Sequence, residues 1–252
     1  MNSVLKAVAM ACLAACVSAR GQAIPWLEPF GGDGPVRFRV VVDGPRGVEA
    51  VPARAASWYF ERTEEAQINA PEVPSEVPGA DGQTGVRTSS LRGPGIIGVD
   101  FKPEETEEPA ARARELAGAA IRDRIPEQGT VRVRRVHSMK LVIGGGAAAT
   151  SKAAQAVELQ PMADPAGASV GSDLPLRTLV DGAKAGGVEV EARRVADEAK
   201  PRGLTSSADG IVNLRIDAEG LWLITMRRAS LEADGTLVVR TASLVVHLGG
   251  GR

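Results

Sequence analysis

Beyond residue 16 the chain has no cysteine. Its two, Cys12 and Cys16, both fall in the N-terminal apolar run, so no disulfide can staple the remainder of the chain, and no thiolate metal site or cysteine nucleophile is available there. Aromatic residues make up 3% of the chain, too few for the stacking platforms that hold single-stranded nucleic acid. An excess of one charge is missing as well. The 30 Lys and Arg residues face 31 Asp and Glu, which leaves no strong field to draw nucleic acid or an anionic membrane surface. Histidine occurs only at His137 and His247, and the HExxH and CxxC spellings are absent. No Ser-His-Asp constellation can be argued from so few bases, and the expectation is a protein that is not an enzyme.

What the chain does have is alternation. Its apolar fraction is 44%, ample for a core, and it is spread over short segments bounded by Gly, Pro or Asp-Gly. The organising stretch is Leu174–Arg194, where Leu174, Leu176 and Val180 alternate before a glycine-rich reversal and Val188, Val190 and Ala192 alternate after it. Period two on both sides of a reversal predicts two paired strands, half buried and half wet. Further strands are expected at 36–43, 57–62, 96–101, 130–143, 157–162, 211–216, 220–226 and 237–248, with Trp58 and Trp222 each buried in its own core. Residues 69–95, rich in Pro, Gly, Glu and Ser, read as a long loop. Glu104, Glu105, Glu107 and Glu108 precede an Ala113–Leu116–Ala117–Ala120–Ile121 stripe, which predicts a helix over about 107–124 with acids at its positive end.

The fold expected from this pattern is mainly β: two β-sandwich domains, the second immunoglobulin-like or transthyretin-like, with one helix inserted in the first. The domains run over 24–143 and 155–252, joined by a Gly/Ala linker at 144–154. Two spellings inside this plan are decoys. Gly144 to Ala149 matches the dinucleotide-binding G-x-G-x-x-A, but no parallel βαβ series surrounds it. Gly167 to Gly171 spells the G-x-S-x-G of a nucleophile elbow between turn-forming residues, without the strand and helix an elbow needs. His137 falls on the mostly apolar face of the 130–143 strand, where a hydrogen-bonded structural role is the plainer reading and a metal ligand the sharper one. His247 points away from Leu244, Val246 and Leu248 and is expected to be exposed.

Residues 1–23 have the layout of a secretory signal peptide: Lys6, an apolar run too short to anchor stably across a bilayer, then small residues. Leu13-Ala14-Ala15-Cys16 also resembles a lipobox, which makes Cys16 a candidate lipidation site, while cleavage after Ala19 or Ala23 would release a soluble protein. Either route predicts export to the periplasm or envelope, with membrane attachment only through an N-terminal lipid.

Five motifs in order give a family resemblance: Trp26-Leu27-Glu28-Pro29, the run from Val157 to Met162 with Asp164-Pro165, Val180-Asp181-Gly182-Ala183-Lys184, Ala208-Asp209-Gly210, and Gly220-Leu221-Trp222. Together they resemble the domain of unknown function 4198 family of secreted bacterial β-rich proteins, some associated with nickel and cobalt uptake. The resemblance implies no reaction. It implies, through its uptake members, a divalent metal such as nickel as a cofactor and a membrane transporter or other envelope protein as a partner. Relatives commonly carry histidine just before the Trp-Leu-Glu-Pro motif and again after the tryptophan strand. Here those places hold Ile24-Pro25 and Arg227-Arg228, so the imidazoles that suit Ni²⁺ are gone and a site tighter than about 10 μM is not expected. Two functions stand open: a non-enzymatic binding or protein-interaction module of the envelope using exposed sheet edges and the 69–95 loop, or an accessory protein for metal or small-solute uptake.

Overall fold

A computed structural model describes residues 24–30, 35–44, 47–50, 56–70, 73–77, 84–197 and 201–249. The expected signal peptide with Cys16, and parts of the 69–95 loop, lie outside the described residues.

The described residues are mainly β, with several sheets and a single α-helix. In the first half the strands are β1 (Trp26–Phe30), β2 (Arg37–Gly44), β3 (Gly47–Ala50), β4 (Ala56–Arg62), β5 (Gln67–Ala70), β6 (Arg87–Thr88), β7 (Gly95–Phe101) and β8 (Glu104–Pro109). Helix α1 (Ala110–Ala117) and the fourteen-residue β9 (Thr130–Ile143) come next. The second half contributes β10 (Val157–Pro161), β11 (Asp173–Val180), β12 (Ala183–Lys184), β13 (Glu189–Arg194), β14 (Arg202–Thr205), β15 (Ile211–Arg215), β16 (Gly220–Leu231) and β17 (Leu237–Leu248).

Nine of these strands form one sheet in the order β14-β13-β16-β17-β9-β7-β4-β5, with β8 continuing the β7 edge along β9. The join between the halves is the parallel pairing of β9 with β17, in register from Leu237 opposite Val133 to Val246 opposite Val142. A tight reversal at Asp234-Gly235, with Gly235 at φ 85, aligns β16 and β17 over twelve residue pairs. Because side chains alternate, the long strands offer two apolar faces. Val142, Trp222, Ile224, Met226, Ala242, Leu244, Val246 and Leu248 pack against the small sheet of β10, β11, β12 and β15, whose Val157, Leu159, Leu174, Leu176, Val212 and Leu214 point inward. On the opposite face, Met139, Leu141, Leu223 and Val245 pack under Trp26, Leu27, Phe38, Val40 and Val41 of the small sheet of β1, β2, β3 and β6. Farther along that face α1 covers Val131, Val133, Leu237 and Val239.

The structure corrects several sequence expectations. The acids at 104–108 do not open a helix: they form β8, opposite Arg132, Arg134 and Arg135 of β9, and Glu105 accepts from Arg134 at 2.6 Å while Glu108 accepts from Arg135 at 2.6 Å. The helix therefore starts only at Ala110 and stops at Gly118, whose positive φ of 67 with an extended ψ is a conformation glycine adopts without a Cβ clash. The strands β11 and β13 do not pair with each other. Asp181 and Gly182, at φ 50 and 74, close a two-residue hairpin onto β12, and the chain then crosses from the small sheet to the central one, passing so close to Ala208 that a Cβ on Gly186 would lie 2.7 Å from its carbonyl oxygen. The stretch expected as a linker is packed, with Ala148, Ala149 and Ala153 buried. Trp58 is half-buried and stacks on Phe60 in the same core as Trp222, since the sheet is continuous across the halves.

Candidate functional site

Between the patch covered by α1 and the patch covered by β1 and β2, the same face of the central sheet carries a polar row. The registers put Glu189 of β13 opposite Arg227 of β16, Arg227 opposite Thr241 of β17, and Thr241 opposite His137 of β9. Arg227 donates to Glu189 at 2.7 Å. His137 Nδ1 meets the Thr241 hydroxyl, which also lies 3.5 Å from the Val136 carbonyl. A carbonyl only accepts, so when the Thr241 hydroxyl donates to Val136 it accepts a hydrogen bond from His137 Nδ1–H, in the tautomer whose lone pair is on Nε2. Burial, and then the neighbouring Arg135 charge, push His137 down to about 4, so the ring is neutral at physiological pH. Arg135 in turn donates to Thr106 and Glu108 from the β8 side, each at 2.6 Å.

Two residues along β17 from Thr241, on the same face, Ser243 donates to the Pro25 carbonyl at 2.8 Å. The start of β1 is thereby fixed beside the row. His247 lies six residues beyond Thr241 on the same strand, exposed, and thus about 20 Å along the sheet from the His137 position. The two histidines are not brought together, and among the described residues no group of three or more His, Cys, Asp or Glu could hold a metal ion.

A second feature is an edge. Among the described residues, β5 at one end of the central sheet pairs only with β4. Its Gln67, Ile68 and Asn69 are exposed and uncharged, and Ile68, at 53%, is the most exposed large apolar side chain among the described residues. An edge with no charge or proline within its strand, and no described strand beyond it, is a template for another strand. Sequence reading passed over Gln67–Ala70 because four residues with one large apolar side chain give no period to recognise. It also missed the buried pair of Lys140 and Glu158, each 1% exposed, because Lys140 belongs to the face of β9 that looked wet until a second sheet covered it.

A family model described as Domain of unknown function (DUF4198) matches residues 26–230. The chain belongs to this family. In this DUF4198 chain Pro25 is tied to Ser243, two residues along β17 from Thr241, and Thr241 lies between Arg227 and His137 in the sheet register. No curated protein matches the sequence. Among solved structures, a tetra-tandem repeat in the extending region of a large adhesion protein is similar at 12% identity and a TM-score of 0.23, over 90% of this chain and 49% of that one. The DUF4198 chain thus spans about half the length of that structure.

Among the described residues no helix is long and apolar enough to cross a membrane. Ser169, of the elbow-like spelling, sits in a turn closed by the Ser172 amide donating to its carbonyl at 3.0 Å.

Proposed function

We propose that the protein is a non-enzymatic, exported envelope protein that works as a protein-interaction module, receiving a strand of a partner envelope protein on the β5 edge. The observation that carries this reading is the uncharged edge strand Gln67–Ala70, with Ile68 half exposed and no described strand pairing beyond it at that end of the central sheet. Strand addition supplies backbone hydrogen bonds and needs only shallow side-chain selection, which suits a chain poor in aromatic anchors. A photo-crosslinking residue placed at Ile68 in intact cells is expected to give a discrete protein adduct, while the same residue at Val170, 51% exposed on a turn, gives none. Equal labelling at both positions, or none at Ile68, would contradict the reading.

A second reading, accessory service to the uptake of nickel, cobalt or a small solute by a membrane transporter, is favoured by one observation: Arg227 and His137 flank Thr241 on the polar row, and Pro25 is held by Ser243 two residues along the same strand. The guanidinium of Arg227 repels a divalent cation there, so within this reading a small solute suits the row better than a metal ion.

A further inference from the structure

Lys140 and Glu158 face each other in the dry layer between the central sheet and the β10–β11 sheet, both 1% exposed. Lys140 Nζ donates to Glu158 Oε1 and, at 3.2 Å, to the Leu159 carbonyl, and the Ala153 amide donates to the same Oε1 at 2.8 Å. A third ionisable group belongs to this layer. Gly98 of β7 is directly opposite Lys140 and Asp100 directly opposite Ser138, so Asp100 lies diagonally across from Lys140 on the same face, a separation that a lysine side chain spans. Gly98 puts no side chain in the way, and the Phe60 ring covers it. Donors converge on Asp100: Gln155 Nε2 at 2.9 Å on Oδ1, the Ser138 hydroxyl and the Ala156 amide.

The Lys140 ammonium sits between two carboxyls, Glu158 and Asp100, with the Arg62 charge also acting on it, and ionising all of these groups so far from water is costly. Burial raises Asp100 against the pull of its three donors and lowers Lys140 against the pull of Glu158, and both directions move toward the neutral acid and the free amine. Those are the two forms that condense.

We propose that Lys140 and Asp100 join in an autocatalytic intramolecular isopeptide bond between β7 and β9, with Glu158 moving the proton. Glu158 takes one proton from the Lys140 ammonium, and the free amine attacks Asp100 Cγ. Oδ1 carries the developing negative charge under the Gln155 donor, as in an oxyanion site. The Nζ–Cγ bond forms, the Cγ–Oδ2 bond breaks, and Oδ2 leaves as water with its own proton and a second one from the nitrogen. The first proton stays on Glu158. No oxidant or cofactor is consumed, and a chain without cysteine in its fold gains a covalent tie across its central sheet.

Intact mass under denaturing conditions tests this, with fragmentation of the proteolysed protein to locate any cross-link. The wild-type chain is expected to be one water lighter than its sequence, with the Lys140 peptide joined to the Asp100 peptide. Asp100→Asn is expected to keep the link while losing ammonia instead of water, and Glu158→Gln to remain at full mass. A folded wild-type chain at full mass overturns the proposal whatever the variants do. So does a link from Lys140 to Glu158, and full cross-linking in Glu158→Gln overturns the role given to Glu158.

Discussion

At the residue scale the clearest consequence is the acid sensitivity built in at His137. Its ring is held by Thr241 in a half-buried position beside Arg135, and its pKa falls to about 4, against an ordinary value of 6.5. The unfolded chain therefore binds a proton between those two pH values that the folded chain refuses. Stability from this group is complete above about pH 6.5 and is lost as pH falls toward 4, by about 3 kcal/mol in all. Urea unfolding of wild type and His137→Gln at pH 7, 5.5 and 4 checks this. The wild type is expected to lose more stability than the variant over that interval, and parallel losses would contradict the burial of the ring.

At the element scale the strands were largely legible from sequence and their partners were not. Thr130–Ile143 and Leu237–Leu248 can be read to the residue, because long alternation between Gly-bounded turns has no competing interpretation. Partnership depends on the other end of the molecule. Nothing near β8 announces that three arginines of β9 will meet its acids, so a run of glutamates before an alanine stripe reads as a helix start. The polar row is invisible for the same reason: its members are 52 to 104 residues from His137, as Glu189 and Thr241 show, and only register collects them. The β4–β7 pair gives a direct test of register. Phe60 lies opposite Gly98, and a Cβ on Gly98 would be 1.7 Å from a carbon of the Phe60 ring, which is fully buried and has no room to withdraw. Gly98→Ala is expected to destabilise by about 1–3 kcal/mol, the usual penalty of overpacking, with partial recovery when combined with Phe60→Leu. An unchanged denaturation midpoint in the single variant would show that the two residues are not opposed.

At the scale of the whole molecule, the parallel pairing of β9 with β17 makes the two halves of the sequence one body. Phe60, Ile96 and Val142 from the first half share a core with Trp222, Leu244 and the β10–β11 sheet from the second, and β1 reaches across to Ser243. The segment 144–154 is part of that body: the Gly146 amide donates to Asp164 at 2.9 Å and the Ala147 amide to Glu64 at 2.9 Å, which ties the turn to both halves. Continuity also sets up the functional reading, because a single stiff sheet presents the β5 edge and the polar row in fixed relation. The most direct measurement is equilibrium unfolding in urea, monitored by far-ultraviolet circular dichroism and by tryptophan fluorescence in two variants. One retains only Trp26 and Trp58, the other only Trp222. A single shared core predicts that all three signals change together, with one midpoint and one slope. Separate midpoints for the two tryptophan sets would mean that the halves unfold independently, and would contradict the one-body fold.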